Sequence, residues 1–179
     1  MTYTTAGSAV PAGPGAGVDP VARLRIMAAG VRGARVVEQV VPAPVEAVWA
    51  VMSDLEGEFG RFQPDMRSLR VLRVAGDRVE ALALSRYGFR ARLRGVVRPG
   101  WCWLQSRFLI IGMAASPAPG GGTRVALTGG VRVPGSAAVV PVGTARELAA
   151  AMERLRERVA AASPGAGTGT GTETETGRS

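Results

Sequence analysis

Histidine is missing from this sequence of 179 residues, and cysteine occurs once, at Cys102. Without an imidazole, the usual zinc sites, Ser-His-Asp triads and Cys-His dyads cannot be assembled, which removes a large part of hydrolase and metalloenzyme chemistry. A lone cysteine excludes an internal disulfide and agrees with a reducing compartment. Lysine is absent too: all 22 basic residues are arginine, and against 14 acids they give a net charge of +8. Such a balance favours solubility and attraction to anions without dictating a fold. No stretch approaches the length that spans a bilayer, and the opening segment has neither the positively charged start nor the apolar run of a signal peptide. A cytoplasmic protein with no transmembrane segment is the expectation. GPGAG at 13–17 follows no strand, and GGG at 120–122 has neither a lysine nor a helix after it. Neither makes a phosphate loop, and no cofactor or metal is expected.

The two ends have little to bury. Residues 1–33 contain TTAGSAVPAGPGAG and residues 163–179 read SPGAGTGTGTETETGRS, so both are expected to be disordered tails. Within the first, PVARLRIMAAG at 20–30 has the makings of a short helix. Between the tails, residues 34–162 form one domain of ordinary size, long enough to bury roughly two thirds of its unfolded surface.

That domain is organised around ARVVEQVVPAPVEAVWAVMSD at 34–54. Val36, Glu38 and Val40 alternate with Val37, Gln39 and Val41, the period of a strand. Pro42 and Pro44 end it, because proline has no N–H for the ladder, and Pro44 suits the first position of a helix. Glu46 then lies at the positive end of the helix dipole, while Val45, Val48, Trp49 and Met52 recur at helical spacing. A single long strand is the competing reading, since the valines are poor helix formers.

Further on, runs at 67–75, 78–86, 89–98 and 101–106 are separated by Gly76-Asp77, Tyr87-Gly88 and Pro99-Gly100, each a hairpin signal. Two-residue turns at these places set Leu69, Val71, Leu82, Leu84, Phe89, Ala91, Leu93 and Gly95 on one face. Arg70, Arg90, Arg92, Arg94 and Arg98 take the other, and Arg73 opposes Glu80 as an expected cross-strand ion pair. Across Pro99-Gly100, Leu104 falls inward against Gly95 and Trp101 and Trp103 outward; a longer loop or a bulge would swap them. FLIIGMAAS at 108–116 holds another strand, preceded by a turn somewhere within 106–112. TRVALTGGVRV is the last, with Gly129 and Gly130 suggesting a bulge. A closing helix begins at a Thr144-x-x-Glu147 capping box and carries the stripe Leu148, Met152, Leu155 and Val159. GSAAVVPV at 135–142 is an earlier turn of it or an apolar flap.

Strand, P-A-P-V-E-A-V-W helix, a short second helix near 55–61, about six strands in meander, the G-G-T-R-V-A-L segment and an amphipathic last helix resemble the START-like, Bet v 1-like superfamily. It is often labelled SRPBCC or polyketide cyclase/dehydrase. The resemblance covers residues 34–162 and implies an α+β helix-grip fold: a curved antiparallel sheet of about seven strands wrapped round the C-terminal helix, with a cavity between. Members bind lipids, isoprenoids, hormones or polyketides, and some are aromatases or cyclases.

On that basis the expected partner is a hydrophobic small molecule. The expected lining is Leu69, Val71, Leu82, Leu84, Phe89, Ala91, Leu93 and Leu104 from the sheet, Leu148, Met152 and Leu155 from the helix, and Phe59, Phe62 and Met66 at the mouth. Such residues equally fill a solid core. Arg67 and Arg86 are expected as inward neighbours across a ladder, where like charges repel and want an anion. That anion is Glu56, Glu58 or Asp65, or a carboxylate or phenolate of the ligand. For catalysis the candidates are few: Tyr87, and Glu80 as the one inward carboxylate of the sheet, so a cyclase or aromatase is the alternative reading. A third reading uses the convex face, where Arg90, Arg92, Arg94, Arg98 and Arg107 with Trp101 and Trp103 have the composition of a nucleic-acid or anionic-surface contact. Arginines lying over tryptophans on a solvated exterior, or a dimer contact, give the plainer account of the same residues.

Overall fold

The computed structural model describes residues 18–131 and 144–162. Seven antiparallel strands make one sheet: β1 (Arg35–Val41), β2 (Met66–Ala75), β3 (Arg78–Ser85), β4 (Arg90–Arg98), β5 (Trp101–Gln105), β6 (Leu109–Pro117) and β7 (Thr123–Val131). Their spatial order is β1-β7-β6-β5-β4-β3-β2, so the meander closes by laying the first strand beside the last. Four helices among the described residues accompany them, α1 (Pro20–Ala29), α2 (Val45–Ser53), α3 (Phe59–Phe62) and α4 (Ala145–Ala162). Among the described residues no helix is long and apolar enough to cross a membrane.

The helical elements follow from the sequence signals. Pro44 stands one place earlier than expected, as the residue before the first helical turn of α2. Helix α4 starts with its capping box intact: the Glu147 N–H donates to Thr144 Oγ1 at 3.2 Å, and the Thr144 N–H donates to Glu147 Oε2 at 3.2 Å. Leu148, Ala151, Met152, Leu155 and Val159 of α4 are buried against the concave face of the sheet. Arg158 fixes α4 to the start of α3 by a two-pronged ion pair with Glu58, at 2.7 and 2.9 Å. GSAAVVPV at 135–142 lies outside the described residues, as does the C-terminal tail from 163.

Two irregularities turn the sheet differently from the expectation. Three residues, Arg86, Tyr87 and Gly88, not two, separate the last hydrogen-bonded pair of the β3–β4 hairpin, Ser85 and Phe89: Ala81 pairs with Leu93 and Ala83 with Ala91. Gly88 has φ of 82°, the left-handed conformation that such a loop needs. The one-residue difference reverses β3, so Ala81 and Ala83 face the core while Leu82 and Leu84 lie half-buried on the outer face. Strand β2 compensates with register shifts at Arg67 and at Leu72, and Leu69 and Val71 still face inward as expected. By contrast, Gly129 pairs with both β1 and β6 and Gly130 with β6, in unbroken register, so the bulge expected there is absent. The turn before β6 falls at Ser106–Leu109, where the Ser106 N–H donates to the Leu109 carbonyl at 2.7 Å.

Strand β4 leans hard on β5. A Cβ built at Gly95 would stand 1.8 Å from the Trp103 carbonyl oxygen, so only glycine allows this bend, which curves the sheet around α4.

The tail expected to reach residue 33 is corrected by α1, which is folded and docked on the convex face. Asp19 accepts from the Ala22 N–H at 2.9 Å and Pro20 opens the helix. Val21, Leu24 and Ala28 are buried, and Val21 and Leu24 form a second apolar cluster with Trp101, Trp103, Ile110, Ala114 and Ala126. Gly112 makes room for it: a Cβ there would meet Leu24 Cδ1 at 2.8 Å and Thr128 Cγ2 at 2.5 Å. Both tryptophans therefore point outward as expected, yet they are covered, at 4% and 6% exposure. Arg23 of the helix and Arg98 of the sheet lie over the Trp101 ring at 4.4 and 5.3 Å.

Candidate ligand site

The concave face and α4 enclose the main core. From the sheet it takes Leu69, Leu93 and Leu104, with Val71 and Ala91 partly buried against them. From α4 come Leu148, Met152 and Leu155; Phe59, Phe62 and Met66 close the α3 end, with the two rings edge to face at 5.3 Å. All of these expected lining residues are brought together. Cys102 lies among them, fully buried, and burial pushes its thiol up to about 12, which leaves it un-ionised and unreactive.

Small residues, Ala81, Ala83, Ala91 and Gly95, make up much of the wall on β3 and β4. A void of about 20 Å³, room for a water molecule, remains between α3, the start of β2, β6, β7 and the first turn of α4. Phe59, Met66, Leu109, Ile111 and Leu148 border it, together with Thr128, whose hydroxyl donates to the Arg35 carbonyl at 2.6 Å, and two further polar residues, Gln63 and Asp65. The last two are buried, at 7% and 6% exposure. Burial pushes the Asp65 carboxyl up to about 6, and the nearby Glu147 carboxylate adds to this, against a hydrogen bond from its own backbone N–H and the charge of Arg86. A second recess, of about 260 Å³ and open to solvent, lies between the α2–α3 loop and the sheet, lined by Leu55, Val71, Val74, Val79 and Val97 among others.

Several expected residues are elsewhere. Leu82 and Leu84 left the wall when β3 reversed. Phe89, in the strand-to-strand loop, is 62% exposed. Arg67 sits in the first β2 bulge and Arg86 in the three-residue loop, both exposed, so they are not cross-strand neighbours on the concave face. Arg86 instead lies beside Asp65, its N–H donating to the Asp65 carbonyl at 2.9 Å. Tyr87 is 54% exposed at the loop tip. Glu80 faces outward, where Arg92 and Arg94 each approach one carboxylate oxygen at 2.7 Å and hold the group down at about 2. It is an ion-paired surface group, and the Arg73 opposite it keeps only the backbone register that was expected. The convex contact is revised as well, since α1 covers its tryptophans and leaves arginines alone outside.

Asp65 is the residue that the pattern underrated. It stands just before β2, and the sequence offers it only as a counter-ion; its burial comes from the way α3 folds back over Met66. A signal for α1 was present in Asp19-Pro20 followed by Val21, Leu24 and Ala28 at one helical face.

No protein-family model matches the chain. No curated protein matches it either. Solved structures do. A crystal structure of a protein from Thermus thermophilus superposes with a TM-score of 0.51 at 24% identity, covering 73% of this chain and 99% of that one. The solution structure of KanY gives 0.54 at 17% identity over 71% of this chain and 97% of that one. A crystal structure from Mesorhizobium loti gives 0.54 at 14% identity over 72% and 97%. At these identities the likeness is one of fold, and the fold is the helix grip that the START-like resemblance implied.

Proposed function

We propose that the chain binds a hydrophobic small molecule of lipid, isoprenoid or polyketide-like character between the sheet and α4, with the polar end of the ligand at Gln63 and Asp65. The observation that carries this reading is a pair of buried polar side chains set into a largely apolar wall beside an unfilled space. Small side chains on β3 and β4 support it, because they leave depth where larger ones would close the interior. A ligand fits by displacing the water-sized void and spreading the walls that border it. The experiment is mass spectrometry of the gently purified protein for a co-purifying small molecule, followed by titration with a fluorescent fatty acid or flavonoid. Saturable uptake that is indifferent to salt is expected; no co-purifying molecule and no saturable uptake would overturn the reading.

A cyclase or aromatase acting in the same place is the second reading, and Asp65 is what favours it. A buried carboxyl that titrates at about 6 is suited to general acid–base work on a folded chain held in place by the walls. Turnover of a poly-β-keto substrate that is lost in Asp65→Asn, with binding kept, separates the two readings.

A further inference from the structure

Among the described residues, the exposed aromatic side chains all lie at one end of the sheet. Tyr87 and Phe89 are in the β3–β4 loop and Phe108 is in the β5–β6 loop, at 54%, 62% and 49% exposure. The two loops are two strand spacings apart, roughly 10 Å. At the opposite end, the turns at Gly76-Asp77, Pro99-Gly100 and 118–122 carry no aromatic residue.

Both tips are held in the same way. Ser85 Oγ accepts from the Phe89 N–H at 3.0 Å; Ser106 Oγ accepts from the N–H groups of Phe108 and Leu109 at 3.1 and 2.9 Å. These turns fix the backbone, so the rings project into solvent from rigid supports. Arg86 and Arg107 are exposed on the same loops and Arg90 at the first position of β4 beside them, and the Arg107 guanidinium lies 5.5 Å from the Phe108 ring. Of the nearby acids, Asp65 is buried and Glu147 is engaged in capping α4. The end thus presents apolar rings amid positive charge.

We propose that these two tips dock on an anionic lipid surface, with Tyr87, Phe89 and Phe108 in the headgroup layer and Arg86, Arg90 and Arg107 on the phosphates. Aromatic rings favour that interface, and basic residues beside it are attracted by its surface potential. A protein partner needs a broad complementary patch. Two separated projecting tips suit a soft, laterally mobile surface better. The inference uses only the outside of the molecule and is independent of what the interior binds.

The test is co-sedimentation of the full chain with phosphatidylcholine vesicles, with and without phosphatidylserine. Binding is expected only to the anionic vesicles. Replacing Arg86, Arg90 and Arg107 together by alanine should weaken it by about fivefold per arginine. Arg70→Ala, Arg73→Ala and Arg78→Ala remove the same charge elsewhere on the sheet and should leave binding near that of the parent chain. Phe89→Ser with Phe108→Ser should weaken it by about tenfold, with thermal melting unchanged because both rings are exposed. Soluble poly-glutamate should displace the parent chain only weakly. Absence of vesicle binding, equal loss in the two arginine triples, or indifference to the phenylalanine changes would each overturn the proposal. Full displacement by poly-glutamate would overturn it in favour of an acidic protein partner.

Discussion

Replacing Asp65 by asparagine removes a carboxyl that folding drives toward its neutral form, and the consequence can be worked out from two values. The group titrates near 3.8 in the unfolded chain and at about 6 in the fold. Because the folded state holds the proton more tightly, the stability this contributes is whole below pH 3.8, declines as pH rises, and is gone above about 6. The full interval is worth about 3 kcal/mol at 1.36 kcal/mol per pH unit, and about 1.4 kcal/mol of it falls between pH 5 and 7.5. No histidine titrates in that window, since the chain has none, and Glu80 titrates below it, at about 2. The parent protein should therefore lose about 1.4 kcal/mol from pH 5 to 7.5, a fall in melting temperature of roughly 5 °C. Asp65→Asn should be flat over the same range. Urea denaturation of both proteins at several pH values measures this directly. Parallel profiles, or a parent whose stability rises with pH, would refute the assignment of a buried carboxyl at the ligand site.

Gly95→Ala should cost about 3 kcal/mol, read as a shift in the urea midpoint, because its Cβ meets backbone that cannot swing away; a loss below about 1 kcal/mol would show the β4–β5 bend to be relaxed. Leu24→Ala should cost about 3 kcal/mol and open the convex cluster. The tryptophan emission should then shift to the red and become accessible to acrylamide, whereas unchanged quenching would mean that α1 is not what shields Trp101.

Much of the fold is legible in the chain because its local rules agree. Prolines at 42 and 44, the change of period after Val41, the Thr144–Glu147 box and the stripe on α4 each point the same way, and each is found. The Pro99-Gly100 turn also fixes its register, which sets Leu104 against Gly95. Facing fails where one residue more or less is invisible in a turn. Arg86-Tyr87-Gly88 reads as a two-residue hairpin from its Tyr-Gly, yet the loop contains three residues, and everything on β3 changes side. The bulges at Arg67 and Leu72 leave no mark in composition, though they restore Leu69 and Val71 to the core. Asp65 was out of reach for a different reason: its character comes from desolvation by α3 and the approach of Glu147 from a distant helix, and neither is local in sequence.

Strand β2 is one of the two edges of the sheet, and an outermost strand is a template on which another chain can grow. Its two kinks interrupt the row of outward N–H and carbonyl groups, the Val71 N–H donates to the Glu56 carboxylate at 2.9 Å, and Arg67, Arg70 and Arg73 stand along it in solvent. A foreign strand would have to follow a broken ladder while stacking its own charges against arginine, so the features that correct the facing of Leu69 also guard this border against fibril growth.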